Sequence, residues 1–454
     1  MKGIYRLIIV FIMPLNLAFA QQAFSLKEAQ DYAKLHSYLI QDANLDIEKS
    51  RRKIQETIAI GLPQISGSFD YQHFPELPKS IIDPSAFGSD DEPNTEPNGE
   101  ENEPIKVAFG QQYAATAAIR VNQLIFDGSY IVGLQATKIF LQLSEDQKAK
   151  KEIDVVATVY QSYSGVLIAG RNKEILQESI LELQKTLKQT QALYKEGFVE
   201  ESDVDQIELL LLNSINSLEQ AKRQEELSID MLKFNMGVSI DENLELTNSL
   251  DDFLNGINGH IKLDNPFDFK LHIDYKMIET QEEASKLTLR NSKAKFLPTI
   301  GAFYTLQNVY SSNDNAMKIS DSFAWTRSQI LGLSINVPIF NSLKKVRVVQ
   351  QAQLDFDKTQ VAKTQISEGL KLNAKSAKSD FSFYQTKLKN DKKNLDIAKR
   401  IRNKTQIKFN EGISTSLELS QVENQYLQTQ GHYIQSLFQL FGSKSKLDQA
   451  LNNY

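Results

Sequence analysis

The stretch "KFNEGISTSLELSQVENQYLQTQ", starting at Lys408, decides the fold. About 215 positions earlier the chain reads "LYKEGFVEESDVDQIELLLLNS", starting at Leu193. Each runs aromatic, one residue, Glu-Gly, a short β-prone patch, an acidic residue and then a long helical pattern. A glycine between two helical patterns suits the left-handed position just past a helix end, where the chain reverses. Gly197 and Gly412 are therefore read as the turns of two helical hairpins, with Ser202 or Ser414 available to cap the returning helix. About forty residues after each turn stand Gly237 and Asn452, the two residue types best suited to ending a helix in that way.

The echo extends outward from the turns. "GLPQISGSFDYQ" from Gly61 returns as "FLPTIGAFYTLQ" from Phe296, and "NQLIFDGSYIVGLQA" from Asn122 returns as "NVPIFNSLKKVRVVQQA" from Asn336. The common order is helix, Leu-Pro, strand, loop, strand, Ile-Phe, long helix, Glu-Gly turn, helix, and three landmarks in one order mark an internal duplication. The first repeat is placed at 21–255, with strands over about 62–75 and 105–126 and a hairpin over 127–236. The second is placed at 256–454, with strands over about 297–310 and 325–340 and a hairpin over 341–452. Only the first carries a run between its strands, 76–104, acidic and rich in Pro and Asn, which cannot pack a core and reads as a solvent loop. Asp90, Asp91, Glu92 and Glu96 offer calcium ligands, but no Asp-x-Asp-x-Asp-Gly spacing appears, which favours a solvated charge run.

The strands alternate. Ile65, Gly67, Phe69 and Tyr71 oppose Ser66, Ser68, Asp70 and Gln72, and Leu331, Leu333, Ile335, Val337 and Ile339 oppose Gly332, Ser334 and Asn336. Ala117, Ile119 and Val121 oppose Ala118, Arg120 and Asn122, while Ile300, Ala302, Tyr304 and Leu306 share a face. Such strands fit a half-buried soluble sheet, and equally a membrane barrel with lipid outside and water inside. Tyr71, Phe74, Tyr310, Trp325 and Phe340 suit interfacial girdles. Four strands cannot close a barrel, and an open edge cannot face lipid, so a membrane location requires several chains to share one barrel.

The helical patterns after Phe126 and after Phe340 run without proline to Lys195 and Asn410, which makes helices about 100 Å long. No ordinary globular core holds such a helix. Val155, Val156, Val159, Tyr160, Tyr163, Val166 and Leu167 have the spacing of a coiled-coil-like seam.

The N-terminus has a positive n-region (Lys2, Arg6), an apolar run from Leu7 to Leu17 and an Ala18-Phe19-Ala20 site, so 1–20 reads as a signal peptide cleaved after Ala20. The apolar run is too short to span a bilayer, and no later segment is long and apolar enough either. Removal of Lys2 and Arg6 shifts the net charge from −6 to about −8, which argues against a nucleic-acid partner. The absence of cysteine excludes disulfides, thiolate metal sites and a cysteine nucleophile. His36, His73, His260, His272 and His432 have no ligand spacing, and there is no nucleophile elbow, phosphate loop or dinucleotide fingerprint, so no enzyme, cofactor or metal is expected.

Taken together, the duplicated Leu-Pro strand, "VPIF" before a long helix, and the Glu-Gly tip with an acidic residue six positions on resemble the TolC family of outer-membrane efflux proteins. The resemblance covers nearly the whole mature chain. It implies a mainly α fold with a membrane β-barrel part, in which a homotrimer builds a twelve-stranded barrel in outer-membrane lipid and a helical tube across the periplasm. It implies a channel of a Gram-negative outer membrane that exports small molecules or polypeptides with a periplasmic adaptor (membrane-fusion) protein and an inner-membrane transporter.

Carried over residue by residue, Gly197 and Gly412 match the tip glycines that face the adaptor, and Asp203 and Glu418 match the tip acids of the entrance constriction. Phe198, Phe409 and Ser414 are their neighbours. Glu418 is the better candidate lining residue, since Asp203 suits a helix-start carboxylate. A second acidic residue expected one turn after Glu418 is Gln421, and the Tyr and Arg that help lock the entrance match Phe409 and Ser414, so a charged lock built from those groups is not expected here. A periplasmic coiled-coil scaffold or adaptor with a soluble β-domain shares the signal peptide and hairpins. It differs in washing off membranes, whereas a barrel needs detergent. A self-sufficient diffusion porin is disfavoured by the four strands.

Overall fold

The computed structural model describes residues 22–82, 105–260, 267–313 and 325–453. The signal segment 1–20, its Ala20 cleavage site and the candidate calcium ligands Asp90, Asp91, Glu92 and Glu96 lie outside the described residues. The chain is mostly helical and divides into two compact units. One comprises the described residues of Met1–Glu48, Gln142–Thr280 and Gln360–Tyr454, and the other those of Lys49–Leu141 and Gln281–Thr359. Among the described residues no helix is long and apolar enough to cross a membrane.

The second unit holds a four-stranded antiparallel sheet of β2 (Gln64–His73), β5 (Tyr113–Asp127), β7 (Thr299–Ser312) and β8 (Trp325–Asn336), in the order β2-β5-β7-β8. The register sets Ile65, Gly67, Phe69 and Tyr71 beside Val121, Ile119, Ala117 and Ala115. These continue across Tyr304, Leu306 and Tyr310 to Leu331, Gln329 and Trp325. Ser66, Ser68, Asp70, Thr116, Arg120, Asn122, Thr305 and Gln307 occupy the other face, because paired antiparallel residues point the same way. Much of the apolar face is uncovered among the described residues: Leu331 is 83% exposed, and Ile65, Phe69, Leu333 and Ile335 are exposed too. Tyr310 and Trp325 meet at one end with ring centroids 5.4 Å apart, and His73 stacks on Tyr113 at 4.5 Å. Among the described residues both outer strands, β2 and β8, have an unpaired edge.

Two strand boundaries differ from the sequence reading. The single strand expected over 105–126 is two, β4 (Ile105–Ala108) and β5, separated by Gly110 at φ +112°, a conformation outside any ladder. β4 pairs with β3 (Lys79–Ile82), inside the segment expected as loop. The strand expected over 325–340 stops at Asn336, since Pro338 has no N–H to continue it. The helix expected from 341 begins at Lys344, after Ser342 and Leu343 at positive φ.

Four helices form two hairpins: α3 (Gly128–Lys195) with α4 (Glu201–Met236), and α7 (Lys344–Asn410) with α8 (Ser416–Leu451). α3 has 68 residues and α7 67, each about 100 Å at ~1.5 Å per residue. The shorter α1 (Leu26–His36), α2 (Tyr38–Ile60) and α6 (Ile273–Ala294) precede the strands.

The first unit has a core that period counting does not reveal. β1 (Gln22–Phe24) pairs in parallel with β6 (Leu244–Leu246), and α5 (Leu250–His260) follows. Phe253 of α5 stacks on Tyr163 of α3 at 5.4 Å and meets Phe441 of α8 edge-on at 5.8 Å. Tyr163 is fully buried, and its hydroxyl donates to the Phe24 carbonyl at 2.9 Å. Each such ring buries enough apolar surface to contribute about 1.5–3 kcal/mol. The small β1–β6–α5 element thus clamps α3 and α8.

Candidate functional site: the hairpin tips

Both tips turn by the same hydrogen bonds. The Gly197 N–H donates to the Tyr194 carbonyl at 2.9 Å and the Phe198 N–H to that of Leu193 at 2.9 Å. At the second tip Gly412 donates to Phe409 at 3.0 Å and Ile413 to Lys408 at 2.8 Å. This paired pattern satisfies the orphan carbonyls of a helix end, and it requires a left-handed residue at its centre. Gly197 has φ +77° and Gly412 φ +73°. Gly237 (φ +80°) and Asn452 (φ 55°) end α4 and α8 with the same bonds.

The returning helices are capped by other residues than Ser202 and Ser414. α4 starts at Glu201, so Ser202 already lies in its first turn. The cap is Glu200, whose backbone N–H donates to Asp203 Oδ2 at 2.9 Å. For α8 the cap is Thr415, whose Oγ1 accepts from the Glu418 N–H at 3.2 Å. Ser414 stands one residue before it and donates its hydroxyl to Glu418 Oε2 at 2.6 Å.

The tips are tied together. The Ser416 hydroxyl hydrogen-bonds Asp203 Oδ1 across 213 residues of sequence, so both Asp203 oxygens are engaged. Beneath it Ile207, Phe409 and Leu419 form a small closed cluster with Leu187 against it. Phe409 is 3% exposed, whereas Phe198 is 76% exposed. Gly197, Gly412, Glu418 and Gln421 are all exposed, and Glu418 is held by Ser414 and by its own helix start. Asp203, Ser414, Phe409 and Glu418 thus come together around the second tip, and Phe198 stands apart from that cluster.

Three contributors escape sequence reading: Ser416, Thr415, and a buried ion pair between Arg402 of α7 and Glu423 of α8. Arg402 Nε donates to Glu423 Oε1 at 2.6 Å. A signal for the pair exists in the sequence, since the two opposite charges lie at similar distances on either side of Gly412, as an antiparallel hairpin requires. Among the described residues there is no group of three His, Asp or Glu placed to hold a metal ion.

Residues 274–453 match the family model described as outer membrane efflux protein. Three solved structures share the fold. CusC aligns with a TM-score of 0.69 at 14% identity, covering 94% of this chain and 92% of its own. The CmeC outer membrane channel of Campylobacter jejuni aligns at 0.67 and 15% identity, covering 94% and 85%. VceC, an outer membrane protein of Vibrio cholerae, aligns at 0.65 and 14% identity, covering 94% and 95%. No curated protein matches by sequence. At these identities the likeness to solved structures is one of fold.

Proposed function

We propose that this chain, whose residues 274–453 match the outer membrane efflux protein family model, is the outer-membrane channel of a three-part export system. The observation that carries the proposal is the four-stranded sheet. One face is mainly apolar and largely uncovered, with Asn308, Arg327 and Gln329 as exceptions, the other carries most of the polar residues beside Phe303, Val309 and Ile330, and among the described residues both outer strands have a free edge. In water such a sheet would aggregate through its edges. In lipid every backbone group must be paired, so β8 of one copy must meet β2 of the next until the ring closes. Three copies give twelve strands, an even number within the range of bacterial barrels.

In this reading the helical hairpins extend into the periplasm and their tips receive cargo from an inner-membrane transporter through a periplasmic adaptor. Gly197, Gly412 and the exposed Phe198 form the docking edge. Glu418, exposed and one per copy, lines the entrance, where three like charges favour cations and oppose one another. Asp203 does a different job, capping α4 and holding Ser416. The chain itself catalyses nothing; the free energy comes from the transporter.

The test is to extract the mature protein in detergent, image single particles and record conductance in planar bilayers. Three-fold particles that form pores are expected. Release from membranes by a salt wash, with elongated particles and no pores, would replace the channel by a periplasmic scaffold.

A further inference from the structure

The ion pair next to the second tip is buried and incompletely satisfied. The Arg402 and Glu423 side chains are 9% and 1% exposed. Arg402 also lies over the Tyr426 ring, with Cζ 5.1 Å from the centroid. Glu423 Oε1 takes the Arg402 bond, while Oε2 is sealed from solvent without a hydrogen-bond partner. From α3, Glu182 approaches both groups and is itself paired with Lys185 at 2.8 Å. α4 meets α8 here through Leu210 and Leu211, which cluster with Leu427. Among the described residues the cation facing Glu423 is thus Arg402, and the further anion is Glu182.

A carboxylate in this setting is costly to keep charged. Burial pushes the Glu423 carboxyl above the ordinary glutamate range, Arg402 pulls it back in part, and Glu182 adds to the rise. A tip that opens and admits water returns Glu423 to its ordinary value. The packed tip therefore holds the proton more tightly than the open one. A group raised in the packed state stabilises that state at low pH, and the contribution is lost as pH rises through the raised value.

We propose that Arg402 and Glu423 are positioning residues for the second tip, and that Glu423 is a proton-dependent latch: protonated it keeps α7 and α8 packed, and ionised it loosens them. The consequence for transport rests on the channel reading: the entrance is tightest in acid and loosens toward neutral pH. The latch itself does not depend on that reading.

The experiment is hydrogen–deuterium exchange of the full chain in detergent, following peptides over 403–422 across a pH series and correcting for intrinsic exchange. The opening constant of the tip should rise by up to about tenfold per pH unit as Glu423 ionises, then level off, as expected for one proton. Glu423→Gln should flatten the profile. It leaves Glu182, Asp203 and Glu418 in place and so separates the latch from them. Arg402→Met should leave the onset of the rise in place and extend it to higher pH before it levels off, because it removes the cation that holds the packed carboxyl down. A merely structural contact would instead raise opening by one factor at every pH. A flat wild-type profile, or a Glu423→Gln profile that keeps the wild-type slope, would overturn the latch. Should Arg402→Met fail to fold, wild type and Glu423→Gln decide alone. Conductance of the same preparation keeps the two proposals apart. Pores with a flat profile overturn the latch only, and a sloping profile without pores overturns the channel only.

Discussion

The two hairpin tips turn the chain with the same hydrogen bonds and the same glycine conformation, yet they are stabilised differently. At the first tip the aromatic three residues before the glycine, Tyr194, is 44% exposed, and the acid, Asp203, is engaged by a cap and by Ser416. At the second, the aromatic Phe409 is buried and the acid, Glu418, stays exposed. Deeper along the helices the contrast sharpens. The position in α3 that answers to Arg402 is Leu187, packed against Ile207, Phe409 and Leu419, and the one in α4 that answers to Glu423 is the exposed Glu208. At this level the first hairpin therefore presents an apolar residue and an exposed acid, and the second a buried ionisable pair. Apolar contact does not respond to pH, whereas a buried carboxylate does. Two copies of one motif have in this way acquired a passive and a titratable version of the same joint.

Substitutions can break or sharpen that contrast, each read as the local opening free energy from hydrogen exchange at the tip. The largest effect is expected from Phe409→Ala, at roughly 3–5 kcal/mol for a buried aromatic ring. Phe198→Ala should leave opening unchanged to within about 0.5 kcal/mol; equal losses at both would mean that burial does not separate the two rings. Arg402→Met alone should cost a comparable ~3–5 kcal/mol by leaving Glu423 uncompensated, and the double variant Arg402→Met, Glu423→Leu should recover most of it. A double variant as unstable as the single one would mean that the pair is not the unit that matters.

Next come the turns. Gly197→Ala and Gly412→Ala should each cost about 1–2 kcal/mol from backbone strain alone, because no atom lies within 4 Å of the Cβ they would gain. Gly237→Ala should cost more, since its Cβ would meet the His36 carbonyl oxygen at 2.2 Å. Asn in place of either tip glycine should cost less than Ala, as Asn452 already adopts this conformation. The smallest expected loss, about 1 kcal/mol, belongs to Thr415→Ala, the lost cap of α8. An equal loss from Ser202→Ala would restore Ser202 as the cap of α4.

Features governed by neighbours along the chain are legible in the sequence alone. The two turn glycines, the helix ends at Gly237 and Asn452, and the alternation in β2 and β8 follow from φ preference and the two-residue period, which act over a few residues. The caps fall one or two positions from where the sequence suggests, because Ser, Thr and Glu all serve there and only the first helical residue selects among them. The strand ends at Gly110 and Pro338 have the opposite origin: a single residue with a strong local rule interrupts a longer pattern that hides it.

The chain by itself determined its elements and the points where it reverses, because backbone sterics, hydrogen-bond capping and side-chain periodicity are local. It also determined that four strands cannot close a sheet in one copy, because an unpaired edge follows from counting them. Only the tertiary structure decided that Phe198 is exposed while Phe409 is buried, and that Asp203 accepts from the Ser416 hydroxyl. It alone seated Phe253 between Tyr163 and Phe441, and it alone joined Arg402 to Glu423 with one oxygen left unpaired. Those outcomes depend on which faces of long helices meet. Residues 21 or 213 apart in sequence acquire a common environment only when the helices carrying them are packed.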